Sequence, residues 1–441
     1  MGTRGPGVTL DAFTDRYAQR THGMTASEIR ALFAVASRPE VVSLAGGMPN
    51  LSALPLDVVG KLMAELVQTR GAQALQYGSG QGDPLLRELI CQVMALEGVD
   101  ASPEDVVVTV GSQQALDLVT RVFCDPGDVV LAEAPSYVGA LGTFSAYQAD
   151  VVHVAMDEHG LVPEALREAI AAVQASGRRA KFLYTVPNFH NPAGVSMIES
   201  RRDEVLEICS SAGLLVLEDN PYGLLGFDGP PTRAIRARGN GPSQQHDDVL
   251  YLGSFSKTFA PGLRVGWVLA PHAVREKLVL AAEAAVLCPP QLNQMVVAEY
   301  LATQDWQGQV SAFRGMYRER RDAMLDALRQ QMPTGTTWTH PTGGFYVWVT
   351  LPGDLDSKVL LPRAVTARVA FVPGTAFFAD SQGRSNLRLS YCYPTPERIR
   401  EGVRRLAVVL EEEVELRQTF GSTGISKLSS PQSESPSPDM A

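Results

Sequence analysis

The chain has 441 residues, more than one hydrophobic core normally serves, so two domains are expected. Apolar residues make up 45% and charged residues 20%, the balance of a soluble globular protein; 48 acidic against 38 basic residues give a net charge of −10 at pH 7. That surplus opposes a nucleic-acid partner, which needs a basic face, and no apolar run is long enough to span a membrane.

In chain order, the opening MGTRGPGVTLDAF lacks the apolar core of a secretory signal. Residues 1–45 read as a polar arm followed by a helix over ASEIRALFAVASR, which carries apolar residues at helical spacing. From residue 46 to about 310 strands and helices alternate. DVVVTV is a strand, SQQALDLVTRVF a helix and DVVLAEA a strand. KFLYTVP is the next strand, and the helix ESRRDEVLEICSSAG ends on a glycine cap. LLVLED and VLYLGSF are further short apolar strands. Continuous apolar strands between helices predict a three-layer αβα fold around a mostly parallel sheet, with ligands at the carboxyl ends of the strands.

After a helical stretch near 270–330 the pattern changes. GGFYVWVTLP, VAFVPGTAFF and SNLRLSYCY predict strands of a smaller α+β domain over 311–420, closed by the helix PERIREGVRRLAVVLEEEVELRQ. Residues 421–441 are rich in Ser and Pro and predict a disordered tail. The five cysteines, Cys91, Cys124, Cys209, Cys288 and Cys392, form no CxxC, which suits free thiols in a reducing cytoplasm.

Four places carry chemistry. Lys257 lies in an apolar setting where a charged amine is costly, with the hydroxyls of Ser254 and Ser256 before it and the planar cation of Arg264 after it, a set that suits a phosphate. VTVGSQQAL is a strand, a glycine turn and a helix start, so the N–H groups of Ser112 and Gln113 can hold an anion, although taken alone the stretch reads more simply as an ordinary strand–helix turn with Ser112 as N-cap. Asp219 ends a buried strand in VLEDNPYG, where a carboxylate needs a cap, a turn or a cation. Asn191 stands in HNPAG, a turn-forming sequence. Together they call for a ligand with a phosphate, a basic ring nitrogen, a phenolic oxygen and an aldehyde, which pyridoxal 5′-phosphate combines.

The motifs SLAGGMPN, LQYGSGQGDPLLRELI, EAPSYVGAL, VPNFHNPAGVSM, GSFSKTFAPGLRVGW, PTGGFYVWV and NLRLSY, spread over about residues 27–410, resemble the fold-type I, pyridoxal-phosphate-dependent aminotransferases of class I/II. Within them the resemblance is to the kynurenine/2-aminoadipate branch and the aminotransferase domains of MocR-type regulators. It implies that Lys257 bonds the cofactor aldehyde and then moves a proton, and that Asp219 keeps the ring nitrogen protonated. Asn191 and Tyr222 would meet the ring oxygen and Tyr137 would stack on the ring. Ser112, Gln113, Ser254, Ser256 and Arg264 would hold the phosphate, joined by Tyr77 from the other subunit of a homodimer with shared sites.

Arg388 would grip the substrate α-carboxylate, with Asn191, Gly47 and its neighbour Gly46 close by and Arg30 on a covering helix. The substrates implied are an aromatic, branched-chain or 2-aminoadipate-like amino acid and a 2-oxo acid such as 2-oxoglutarate. The alternatives are a lyase, decarboxylase or oxidase of the same fold and, more remotely, an effector-sensing regulator. The family often has Asn-Asn-Pro-Thr-Gly where this chain has His190, Asn191, Pro192, Ala193 and Gly194.

Overall fold

The structure, a computed structural model, describes residues 13, 16–21, 38–238 and 247–421. Arg30, most of the helix expected around it and the tail beyond residue 421 lie outside the described residues. Among the described residues no helix is long and apolar enough to cross a membrane.

The central sheet has eight strands: β1 (Val106–Thr109), β2 (Val129–Ala134), β3 (Asp150–Asp157), β4 (Gly160–Leu161), β5 (Ala180–Thr185), β6 (Leu215–Asp219), β7 (Val249–Ser254) and β8 (Gly266–Leu269). Their spatial order is β1-β8-β7-β6-β5-β2-β3-β4. The run from β7 through β6, β5 and β2 to β3 is parallel, while β8 is antiparallel to both its neighbours and β4 is antiparallel to β3.

The helices are α1 (Leu56–Ala74), α2 (Pro84–Ala95), α3 (Ser112–Phe123), α4 (Val138–Ala146), α5 (Pro163–Ala175), α6 (Glu199–Ser211), α7 (His272–Val286), α8 (Gln291–Thr303), α9 (Trp306–Gln331), α10 (Ser357–Thr366) and α11 (Pro396–Gly421). Alternate strand residues serve opposite faces of the sheet. Val129, Leu131, Leu183 and Val216 pack with Leu166 and Ile170 of α5 and Val205 of α6. Val130, Ala132, Phe182 and Tyr184 pack in a second core with Leu116 of α3 and Phe144 of α4. Both faces are therefore covered, which is why the strands read as unbroken apolar runs. Each fully buried Val, Leu or Phe contributes roughly 1.5–3 kcal/mol against the entropy of ordering it.

A second sheet, fully antiparallel, has the order β9 (Thr337–Trp338), β10 (Tyr346–Thr350), β12 (Asn386–Ser390) and β11 (Val372–Pro373). The sequence VAFVPGTAFF is not one strand. Val369–Ala370 pairs in parallel with Val42–Ser43, β11 follows, and Gly374–Phe377 forms a 3₁₀ turn. The two sheets meet where β5, β6 and β7 end and α3 begins, and a cavity opens there.

Candidate active site

One end of the cavity is built on backbone. The N-cap of α3 is Gly111, not Ser112, and its φ of 76° and ψ of 165° are open essentially to glycine alone. A side chain at Gly111 would collide with the Arg264 guanidinium, which donates to the Val110 carbonyl at 3.2 Å and reaches the Ser256 hydroxyl at 3.4 Å. Ser254 Oγ accepts from the Ser256 amide at 3.1 Å. A helix start, a cation and two hydroxyls thus converge, and among the described residues no carboxylate pairs with the Arg264 guanidinium. The Gln113 side chain faces elsewhere. It donates to the Gly139 carbonyl and to Thr143, and its carbonyl accepts from Tyr137 Oη at 3.3 Å, which braces that ring.

Lys257 and Asp219 occupy the middle. Burial lowers the Lys257 ammonium below its ordinary value, and Nζ donates to the Gly47 carbonyl at 3.1 Å. Burial raises the Asp219 carboxyl to about 7, against the hydrogen bond from Tyr184 and the charge of Lys257. Tyr184 Oη donates to Asp219 Oδ2 at 2.9 Å, while Oδ1, equally buried, has no hydrogen-bond partner among the described residues. Burial, with Asp219 nearby, pushes the Tyr137 phenol up to about 12, and burial takes the Tyr222 phenol well above its ordinary value; both stay protonated donors.

The far wall carries Arg388, 2% exposed on β12. Its Nη1 donates to Asn191 Oδ1 at 2.8 Å and its Nη2 to the Ala45 carbonyl at 2.7 Å. The guanidinium carbon lies 4.2 Å from the centre of the Tyr346 ring and 5.0 Å from that of Phe377, so aromatic rings pin it. Among the described residues no carboxylate pairs with it and its Nε has no hydrogen-bond partner. A buried cation without a counter-charge is costly, and a bound carboxylate removes that cost.

Comparison with known proteins fits this geometry. Residues 39–406 match the family model described as aminotransferase class I and II. The chain belongs to the class I and II aminotransferases. It is 40% identical over 92% of its length to the aromatic-amino-acid aminotransferase 1 of Thermococcus litoralis, 96% of which is covered. It is 38% identical to the 2-aminoadipate transaminase of Thermus thermophilus, with 91% of this chain and 98% of that one covered. Among solved structures, the kynurenine aminotransferase of Pyrococcus horikoshii superposes with a TM-score of 0.86 at 38% identity, covering 91% of this chain and 98% of the other.

As an aminotransferase the chain uses pyridoxal phosphate, and its residues fit that group. The unpartnered Asp219 Oδ1 suits a protonated ring nitrogen, and the cradle at Gly111, Ser112, Ser254, Ser256 and Arg264 suits a phosphate.

The cavity brings together Gly47, Ser112, Gln113, Tyr137, Asn191, Asp219, Tyr222, Ser254, Ser256, Lys257, Arg264 and Arg388, all singled out in the sequence. Gly46 precedes Gly47, and its carbonyl faces the Cys392 thiol. Tyr77 does not join them within this chain; it is 76% exposed and borders a separate hollow with Asp83 and Gln291. Tyr346, a candidate from the sequence for the side-chain pocket along with Phe345 and Leu54, also lines the cavity, whereas Tyr184 and Phe377 escape sequence reasoning because they read as ordinary apolar strand residues.

Proposed function

We propose that the enzyme transfers the amino group of an L-α-amino acid to a 2-oxo acid such as 2-oxoglutarate, in two half-reactions at one site. Bound pyridoxal phosphate supplies an aldehyde that condenses with amines and a ring that withdraws electrons from the substrate Cα. Lys257, which burial favours in its neutral form, would be the nucleophile that holds the cofactor; once displaced by substrate, its amine would take the proton from the substrate Cα and deliver it to the carbon of the former aldehyde, and reverse that transfer in the second half-reaction. Asp219 Oδ1 would accept from the ring N–H, Asn191 and Tyr222 would hold the ring oxygen, and Tyr137 would cover the ring. The N–H groups of Ser112 and Gln113, with Ser254, Ser256 and Arg264, would bind the phosphate.

Arg388 takes the substrate α-carboxylate through the edge left free by Asn191 and Ala45, beside the Gly47 backbone. The observation that carries this assignment is the buried guanidinium of Arg388, which has no carboxylate partner among the described residues, in one cavity with Lys257 and Asp219. Among the described lining residues the cations are Lys257, Arg264 and Arg388, and the roles above occupy all three. The side-chain end, bounded by Tyr346, therefore favours an aromatic or branched-chain donor. Arg30 is the residue of this chain that would serve a 2-aminoadipate-like carboxylate.

We assign residues 46–310 to a cofactor-binding domain and 311–420 to a small domain, and we place the enzyme in the cytoplasm, where its five free thiols stay reduced. It acts as a homodimer in which Tyr77 reaches the phosphate of the other subunit.

The test is to give the holoenzyme an aromatic amino acid without a 2-oxo acid. The visible band should move to shorter wavelength and stop after one equivalent, then return when 2-oxoglutarate is added. Sustained turnover with release of ammonia, carbon dioxide or peroxide would instead establish a lyase, decarboxylase or oxidase.

A further inference from the structure

Asp219 is held from behind by a residue of the neighbouring strand. In the register of β5 and β6, Tyr184 stands opposite Leu217, and Asp219 lies two residues further along on the same face. A phenol is long enough to span that diagonal, and Tyr184 Oη reaches Asp219 Oδ2 at 2.9 Å. The Tyr184 ring is fully buried and meets Phe144 edge-on, with centroids 5.5 Å apart at 75°. It has little freedom to swing away.

The two oxygens of Asp219, a residue that lines the cavity, are therefore unequal: one is tethered and the other is buried without a partner among the described residues. The tether matters because burial favours the neutral acid, which could not hold a protonated ring nitrogen. The phenol itself stays protonated throughout the working range, since burial and the neighbouring carboxylate raise it well above its ordinary value.

We propose that Tyr184 is a positioning residue for the transfer reaction, whose hydroxyl keeps Asp219 ionised and aims its free oxygen at the ring nitrogen of the cofactor. This rests on the assignment of Asp219 to that nitrogen. The hydroxyl acts only through Asp219, so its removal matters only to a ligand that carries the nitrogen.

The test compares how tightly the apoenzyme binds pyridoxal phosphate and an analogue in which the ring nitrogen is replaced by C–H. Tyr184→Phe preserves the ring and deletes the hydroxyl. Its affinity for pyridoxal phosphate should fall about tenfold or more, the usual scale for a hydrogen bond to a charged group, while affinity for the analogue changes less than about threefold. The loss of pyridoxal phosphate affinity on acidification should also move to higher pH in the variant, because Asp219 then protonates more readily.

Equal weakening of both ligands would mean that the hydroxyl supports only the fold and would overturn the proposal, as would no weakening of either. If Tyr184→Phe does not accumulate as folded protein, Tyr184→Leu gives the same comparison. A wild-type enzyme that does not discriminate between the two ligands would remove the role of Asp219 itself, an outcome distinct from the failure of Tyr184 alone.

Discussion

Two buried carboxyls have ionisations set by place more than by residue type. Asp219 and Glu97 are each raised to about 7 by burial, Glu97 between Asn220 and Tyr251 outside the cavity. For Asp219 the ordinary value is 3.8, so from about pH 4 to about pH 7 the unfolded chain releases a proton that the native apoprotein keeps. Native stability therefore falls as pH rises through that window and stays reduced above it. Asp219→Asn removes this loss. In urea melts of the apo forms, the variant should gain on the wild type between pH 4 and pH 8 by on the order of 4 kcal/mol at most. A gap between the two proteins that does not change with pH would contradict the buried ionisation.

The elements place these groups. Helix α3 starts at the cavity because Gly111 turns the chain in a conformation closed to other residues, and the same absence of a side chain admits Arg264. Gly111→Ala should weaken pyridoxal phosphate binding about tenfold or more, and inorganic phosphate should lose its ability to compete; retained affinity for both would show that the turn is not part of the phosphate site. Much of this was legible. The alternating apolar strands and helices predict the layered sheet, and Lys257, Asp219 and the Ser112 helix start fall at strand ends as local pattern requires. Other features were not legible, because they depend on contacts between distant segments. Nothing in KFLYTVP marks Tyr184 as the neighbour of Asp219, which requires the register of β5 with β6. Nothing in GWVL says that β8 runs antiparallel to β7, and the stacking of Phe377 on Arg388 joins a turn to a strand through tertiary packing.

At the scale of the whole molecule, Leu75, Tyr77, Val286 and Leu287 are exposed apolar side chains. Gly78 lies against Gln291 and Gly80 against Glu283, which brings the Tyr77 loop beside the end of α7 and the start of α8. Leu287 holds a left-handed φ of 65° there, a strained backbone that a second subunit packing over it would secure. Such a patch costs free energy in water and fits a twofold partner that presents the same residues. Two variants, each expected to lose activity on its own, test whether the sites are shared. Lys257→Ala and Tyr77→Ala, mixed under conditions that exchange subunits, should regain activity, because each mixed dimer holds one site with both residues intact. No recovery in mixed dimers shown to form would place Tyr77 outside the partner's site.

The proposed attachment of the cofactor to Lys257 is tested most directly by reducing the holoenzyme with borohydride, digesting it and weighing the peptides. The phosphopyridoxyl group should sit on the peptide containing Lys257, and Lys257→Ala should carry none and lack the visible band. A label on another lysine, or none on a wild-type protein that retains its colour, would contradict the assignment of the site.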